Sequence, residues 1–229
     1  MIILRTFGDP RLSTRHAAIR TLFLPGLVGR LEALLNLGVA DATHAGLVCH
    51  PHPMFGGTMY NKVVFHAMKA LHSFGFPVLR FNFRGTGLSG GQHHGTEEVD
   101  DVSVALAWLK REFRLPIIFA GFSFGAAMGL KACCPDPEVP LLISLGTPVE
   151  AEGRLYSYEF LRDCRKPKLF LSGDRDQFGP HQVLEAVVGA AAEPKELVFI
   201  PGDHFFEGHL GEMRMTVESW LHELLDPPG

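Results

Sequence analysis

Hydrophobic positions along this chain alternate between short, continuously apolar runs and longer stretches with helical spacing. The runs predict buried strands at 45–49, 77–81, 115–120, 139–145, 167–171 and 196–200, and the stretches predict helices at 59–73, 96–113, 124–133, 180–192 and 205–225. Thr96 stands where an N-cap residue is expected for the second of these helices. Apolar strands that alternate with helices are typical of a mostly parallel sheet covered on both faces. The pattern therefore predicts a single-domain α/β fold.

Three segments depart from this alternation. Segments 21–25 and 31–37 predict an antiparallel hairpin that turns at Gly26 and Gly29. Residues 1–20 have weak periodicity and are interpreted as an N-terminal extension, which leaves 21–229 as the domain. The stretch between Leu145 and Pro167 has room for a short helix and no room for a sizeable lid, so we expect an open site.

Composition narrows the class of protein. The chain has 229 residues, of which 46% are hydrophobic and 20% charged, as in soluble globular proteins. A formal net charge of −4 gives no electrostatic reason to expect a nucleic acid or an anionic membrane as a partner. The sequence shows neither an apolar run of about 20 residues nor a signal-peptide pattern, and its four cysteines include no C-x-x-C pair. We expect a cytoplasmic protein that acts on a small molecule as a monomer or a homodimer.

The most informative motif is Gly121-Phe-Ser-Phe-Gly125, which lies between a predicted strand and a predicted helix. In that context G-x-S-x-G is the pattern of a nucleophile elbow, a strained turn that exposes a serine hydroxyl at the end of a sheet. The glycines are required because the tight turn leaves no space for side chains beside the serine. Ser123 is therefore the predicted nucleophile.

A serine hydroxyl needs a base, and the base needs an acid to hold its tautomer. Asp174 and Asp176 follow one later strand, and His204 follows the last strand, in the chain order that this elbow requires. We favour Asp176 as the acid because the first aspartate of a G-D-x-D turn commonly binds local backbone amides. Asp203, next to the histidine, is interpreted as a local turn residue.

The oxyanion hole requires two backbone N–H groups. One is expected from Phe124, directly after the nucleophile at the start of a helix. The other is expected from the loop that begins at His50, in which Met54 supplies the first amide after the prolines and Phe55 is the alternative. Phe55, Phe122, Phe124 and Phe205 are candidates for pocket walls, although each is equally compatible with a role in the core.

Two other clusters have alternative interpretations. The pairs His50/His52 and His93/His94 lack the spacing of a zinc site, so no metal is predicted. The glycine-rich run that begins at Arg84 lacks the phosphate-loop pattern and is interpreted as a crossover loop, so no cofactor is predicted. Arg84 itself is expected to anchor that loop, with binding of an acidic substrate group as the alternative.

With these residues identified, the chain from about Thr21 to Leu225 resembles the α/β-hydrolase superfamily. The segments H-P-H-P-M-F-G-G-T-M-Y-N-K-V-V at 50–64 and N-F-R-G-T-G-L-S-G-G at 82–91 resemble small bacterial hydrolases near the dienelactone-hydrolase-like branch. The resemblance implies a compact, largely lidless serine hydrolase with the nucleophile, acid and base at Ser123, Asp176 and His204. Dienelactone hydrolases proper carry cysteine at the elbow, and serine here speaks against that substrate.

The sequence thus predicts a serine hydrolase that cleaves small carboxylic esters through an acyl-enzyme. A peptidase or amidase of the same fold is the first alternative. A non-catalytic scaffold that binds a ligand or a partner is the second, and the ordered Ser123, Asp176 and His204 speak against it.

Overall fold

The computed structural model describes residues 19–151 and 153–225. The strands are β1 (Ile19–Gly26), β2 (Gly29–Asn36), β3 (Ala45–Cys49), β4 (Val78–Phe81), β5 (Ile117–Phe122), β6 (Leu141–Leu145), β7 (Glu150–Ala151), β8 (Arg154–Leu155), β9 (Lys168–Gly173) and β10 (Lys195–Ile200). The helices are α1 (Lys62–His72), α2 (Glu98–Phe113), α3 (Phe124–Cys133), α4 (His181–Gly189) and α5 (Leu210–Leu225), with short 3₁₀ helices at Pro53–Phe55 and Glu159–Arg162.

The described residues contain an eight-stranded sheet in the order β1-β2-β4-β3-β5-β6-β9-β10. The six strands β3, β4, β5, β6, β9 and β10 run parallel, whereas β1 and β2 form the predicted antiparallel hairpin and β2 joins β4 antiparallel. This arrangement confirms the predicted α/β class. Because Ile19 already pairs with Asn36, β1 begins two residues before the expected domain boundary. The remainder of the predicted extension, residues 1–18, lies outside the described residues.

Two layers of helices cover the sheet, and β5 shows why. Its successive side chains point to opposite faces, as in any strand. Ile117 and Phe119 join the core formed with α2, α3 and α4, while Ile118 and Ala120 join the core formed with α1 and α5. Both faces of the strand are therefore buried, which explains the continuous apolar run in the sequence. Among the described residues, none of the helices combines the length and apolar character that crossing a bilayer requires.

Three predicted helix starts were wrong by more than one residue. Helix α1 begins at Lys62 and not at residue 59, because the side chain of Asn61 caps it. Helix α2 begins at Glu98, and exposed Thr96 does not cap it. The buried carboxylate of Glu98 instead accepts the His94 N–H at 2.7 Å and so satisfies the backbone at this end from inside the protein. Helix α5 begins at Leu210 and not at residue 205, because Phe206 has a positive φ of 55° that breaks helical geometry.

The connection between β6 and β9 is small. Apart from Glu152, which is not described, it holds the two-residue strands β7 and β8 and the 3₁₀ helix Glu159–Arg162. The predicted short helix is thus a 3₁₀ turn, and the site at the carboxyl ends of the strands has little or no lid.

Candidate active site

Ser123 occupies a sharp turn between β5 and α3. Its backbone has φ 54° and ψ −122°, a conformation that carries about 1–3 kcal/mol of strain for a residue with a side chain. The Ser123 N–H donates to the Leu145 carbonyl oxygen at 2.9 Å, which anchors the turn to β6. A Cβ on Gly125 would lie 2.4 Å from the His50 carbonyl oxygen. The motif glycine thus permits α3 to approach the end of β3 as closely as it does.

His204 lies in the turn after β10 and is 2% exposed. Its Nε2 lies 2.9 Å from the Ser123 Oγ, and its Nδ1 lies 2.8 Å from Oδ2 of Asp176. An ionised carboxylate can only accept a hydrogen bond, so in neutral His204 the ring proton is on Nδ1. Nε2 is then the acceptor for the serine hydroxyl. The structure therefore brings the three predicted side chains together in one hydrogen-bonded chain.

The two aspartates of the G-D-x-D turn have different partners. Asp174 accepts the Gly202 N–H at 3.0 Å and does not contact His204. Asp176 accepts from the Ser172 hydroxyl at 3.0 Å and from the Phe178 N–H at 2.8 Å, in addition to His204. Burial alone would raise the pKa of Asp176, but the bonds to His204, Phe178 and Ser172 outweigh it and lower the pKa. Asp176 is therefore an ionised acceptor at neutral pH.

Asp203 is a local turn residue, as the sequence predicted. Its carboxylate accepts the backbone N–H groups of Phe205 at 2.9 Å and Glu207 at 3.1 Å. The backbone N–H of Phe206 donates to the Asp203 carbonyl oxygen at 3.1 Å. These bonds shape the turn that presents the His204 imidazole to Ser123.

Aromatic rings surround the imidazole of His204. Phe122 lies with its ring centre 5.0 Å away, Phe178 at 4.7 Å and Phe205 at 5.3 Å. Phe205 is 45% exposed, whereas Phe122 is fully buried in the core shared with α1 and α5. The expectation that Phe122 forms a pocket wall is therefore corrected: its ring supports the imidazole from inside the protein, because it lies on the face of β5 that α1 and α5 cover.

The two expected oxyanion donors lie on adjoining segments. Phe124 is the first residue of α3, where the helix dipole favours negative charge, and its side chain is buried. Met54 lies in the 3₁₀ turn after β3, and its N–H donates to Nδ1 of His52 at 3.2 Å. The Phe55 N–H donates to the His52 carbonyl oxygen, also at 3.2 Å. Both candidate amides of this turn are therefore engaged with His52, while the Phe55 side chain is 66% exposed.

The histidine pairs noted in the sequence have other partners in the structure. His52 and His93 face one another with 3.0 Å between their Nε2 atoms, although 41 positions separate them. His50 is fully buried, and its Nε2 accepts the Phe83 N–H at 3.0 Å. Within the described parts of the chain, no group of three or more metal-ligating side chains is placed to hold an ion. Sequence reasoning missed the His52–His93 contact because no local pattern signals it.

Arg84 anchors its loop. It is 1% exposed, and its guanidinium binds the buried carboxylate of Asp101, with an Nη2 to Oδ1 distance of 2.8 Å. A second bond of 2.9 Å runs to Glu97. With its donors directed at α2, the guanidinium is unavailable to an acidic substrate group, so the structural interpretation is correct and the alternative is not.

Two surface clefts flank the loop that carries His204. One has a volume of about 670 Å³ and lies between the start of α1 and the turn after β10, with Gly56, Lys62 and Phe205 in its lining. The other has a volume of about 420 Å³ and lies between β7–β8 and the start of α4, with Leu155 and Phe178 in its lining. The first cleft shares Phe205 with the surroundings of the His204 imidazole, and the second shares Phe178.

Known proteins share both this fold and much of this sequence. The model of a family described as an alpha/beta hydrolase domain matches residues 54–223. The uncharacterized protein RP471 of Rickettsia prowazekii (strain Madrid E) is 31% identical over 209 residues, which is 87% of each chain. The chain therefore belongs to the alpha/beta hydrolase family.

Solved structures give the same class. An alpha-beta serine hydrolase homologue from Coxiella burnetii is 37% identical and has a TM-score of 0.80, covering 88% of this chain and 97% of that one. XC6422 from Xanthomonas campestris, a member of the a/b serine hydrolases without a lid, is 32% identical with a TM-score of 0.80, covering 92% and 96%. The fold is that of a lidless alpha/beta serine hydrolase.

Proposed function

We propose that this protein is a serine hydrolase that cleaves small carboxylic esters through an acyl-enzyme. One observation carries the proposal: a single buried imidazole contacts a carboxylate on one side and the hydroxyl of a partly buried serine on the other, at 2.8 Å and 2.9 Å. A hydroxyl so placed can lose its proton to Nε2 as it attacks, and the carboxylate stabilises the resulting imidazolium.

In the first half of the reaction, Ser123 Oγ forms a bond to the ester carbonyl carbon while its proton moves to Nε2 of His204. The N–H groups of Phe124 and Met54 bind the oxyanion that develops. When this intermediate collapses, the bond to the alcohol oxygen breaks, and the alcohol leaves with the proton from Nε2. Water then repeats the sequence on the acyl-enzyme, releasing the acid and restoring Ser123.

Esters are preferred to amides in this proposal because an open site offers little binding energy for expelling an amine. Phe55 and Phe205, both exposed beside the site, are the proposed substrate contacts. The substrate is small, no cofactor takes part, and the protein acts in the cytoplasm as a single domain. Its motifs at 50–64 and 82–91 resemble those of small hydrolases near the dienelactone-hydrolase-like branch, although it has serine where dienelactone hydrolases proper have cysteine.

A fluorophosphonate probe tests the nucleophile directly, since it forms a covalent bond only with an activated serine. We expect labelling of the native protein and of S103A, which changes an exposed serine of α2, and no labelling of S123A. Labelling that persists in S123A, or is absent from the native protein, contradicts the proposal.

The substrate class needs a second experiment. p-Nitrophenyl esters from acetate to decanoate are compared with aminoacyl p-nitroanilides under the same conditions. We expect the esters to have the higher kcat/KM, with acyl-chain preference reporting the pocket that Phe55 and Phe205 border. A preference for the anilides would favour the peptidase or amidase alternative.

A further inference from the structure

A second chain of a carboxylate and imidazoles lies on the opposite side of the site from Asp176 and His204. Nδ1 of His93 lies 2.9 Å from Oε1 of Glu98, a close contact whose angle falls outside the range of a hydrogen bond. Nε2 of His93 lies 3.0 Å from Nε2 of His52. Nδ1 of His52 then accepts the N–H of Met54 at 3.2 Å. The chain thus runs from a carboxylate to the amide proposed as the second oxyanion donor.

The carboxylate end of this chain is ionised. The Glu98 side chain is fully buried, which alone would raise its pKa. The backbone N–H groups of His94 and Gly95 and its own N–H outweigh burial and lower the pKa of Glu98. Glu98 therefore offers only acceptors to His93.

Both imidazoles are neutral at neutral pH. Burial lowers the pKa of His52 to about 4, reinforced by the positive charge of Arg154 and by the repulsion between the two rings when both are protonated. Burial also lowers the pKa of His93, against the opposing effect of Glu98. Each ring therefore carries one proton and has one bare nitrogen.

These constraints leave one arrangement of protons. Glu98 cannot donate, so the proton of His93 is on Nδ1 and its Nε2 is bare. That bare nitrogen needs a donor, so the proton of His52 is on Nε2. Nδ1 of His52 is then bare, as the contact with the Met54 N–H independently requires. The opposite tautomers would place the bare Nδ1 of His93 2.9 Å from a carboxylate oxygen of Glu98, and would bring the ring N–H of His52 face to face with the N–H of Met54.

We propose that Glu98 and His93 are positioning residues that hold His52 in its Nε2–H tautomer, and that His52 thereby aims the Met54 amide for the oxyanion. The proposal rests on the function proposed above. The His52 ring caps the 3₁₀ turn Pro53–Phe55, and its carbonyl oxygen accepts the N–H groups of Phe55 and Gly57. At 3.2 Å the bond from Met54 is long, so a developing oxyanion is the stronger acceptor and takes the amide without the turn having to refold.

The tautomers can be measured without any enzyme assay. In the native protein labelled with ¹⁵N at histidine, long-range ¹H–¹⁵N spectra separate protonated from bare ring nitrogens. We expect the proton of His52 on Nε2 and that of His93 on Nδ1. A proton on Nδ1 of His52 overturns the proposal, even if the protein proves to be an esterase. Conversely, if the tautomers are as expected but the protein has no esterase activity, the proposed function is contradicted and the assignment of the ring protons is not.

Kinetics test the consequence for the reaction. In H93F the ring volume is kept but Nε2 is lost, and we expect kcat to fall about tenfold with little change in KM, because misplacing one oxyanion donor costs part of its effect. H93Q restores an acceptor at the position of Nε2 and should recover most of this loss. A boronic acid that forms a tetrahedral adduct should bind more weakly in H93F by a similar factor. Equal activity in H93F and H93Q overturns the proposal.

A double-mutant cycle separates positioning from a general effect on folding. In H52N the amide oxygen can still accept the Met54 N–H, because asparagine is a good N-cap residue, and it needs no partner at 93. We therefore expect H93F to cost about tenfold in the native background and less than about twofold in H52N. An undiminished loss in H52N would assign His93 a purely structural role.

Discussion

Two series of contacts, each running from a carboxylate through imidazole, lie at the site. Only one of them ends in a group that can react. Asp176, His204 and Ser123 come from three loops that are far apart in sequence, with 81 positions between the serine and the histidine. Glu98 and His93 come from one loop, and their chain ends in the backbone amide of Met54. Each chain orders its protons by starting from a buried carboxylate.

The two series differ in the group at their end, which is a hydroxyl at Ser123 in one and a backbone N–H at Met54 in the other. Ser123 has a hydroxyl that can transfer its proton to the imidazole and form a bond to carbon. An amide N–H cannot be transferred under these conditions, so the second chain can only direct a dipole. A carboxylate and an imidazole in contact are therefore insufficient to identify a general base, because the atom beyond the imidazole decides the chemistry.

The largest expected effects on kcat come from replacing the imidazole of each series in turn. H204Q leaves Ser123 without a base, and we expect kcat on a p-nitrophenyl ester to fall by about 10⁴-fold or more. H93Q, the matched change in the second chain, should stay within about tenfold of the native protein. Comparable losses in the two variants would contradict the division of roles.

The two carboxylates give the next test. In D176N the amide can donate to His204 and so favours the wrong ring tautomer, and we expect a loss of about 10³-fold to 10⁴-fold in kcat. In E98Q the side-chain oxygen can still accept from His93, so we expect less than about tenfold. Steady-state kinetics on the same ester measure both, and a larger loss in E98Q would reverse our assignment of the acid.

Packing holds the two chains at a fixed separation, and G125A tests this. The added methyl group would lie 2.4 Å from the His50 carbonyl oxygen, which forces α3 away from the turn that carries Met54. We expect a loss of about 1–3 kcal/mol in the free energy of unfolding, together with lower kcat. G189A is the control, since a Cβ there meets nothing within 4 Å. Urea unfolding of both proteins checks the result, and equal stability would show that the contact relaxes without cost.

The smallest expected effect is on how the free energy of unfolding depends on pH, through His50 in the loop that carries Met54. Burial lowers the pKa of His50 to about 3 from its ordinary value of 6.5. Between these values the unfolded chain binds a proton that the folded chain excludes, so stability falls as the pH is lowered through this range, by up to about 1.4 kcal/mol per pH unit. H50Q removes the titrating group and should flatten the dependence measured by urea unfolding at pH 7, 6 and 5. An unchanged slope would show that other groups dominate.

Much of the fold was predictable because its strands are buried on both faces. The run at 45–49 coincides with β3, and the helix at 124–133 coincides with α3. The helix starts were harder, because they depend on side chains from within the fold. At the start of α2 the buried carboxylate of Glu98 accepts a backbone N–H from the preceding loop. A capping rule applied to Thr96 does not predict this arrangement.

In the candidate site, too, some residues could be predicted from the sequence and others depend on the fold. Ser123, Asp176 and His204 were identified because an elbow serine demands an acid and a histidine after later strands, which is a rule of chain order. No such rule joins His52 to His93, and the adjacent histidines were considered only as a metal site, which their spacing did not support. Helices α1 and α5 likewise bury Phe122, and the motif alone did not reveal which helices cover this end of β5.

The small connection between β6 and β9 has a consequence for the fate of the acylated serine. In the proposed acyl-enzyme we expect bulk solvent to reach the ester bond, since β7, β8 and one 3₁₀ turn form only a small connection above the strand ends. Nucleophiles then compete for the acyl group in proportion to their concentration and reactivity. Water dominates because, as the solvent, it is in large excess. Added methanol or ethanol should divert part of the flux into new esters, which makes the proportion of transacylation a direct gauge of how uncovered the reaction centre is.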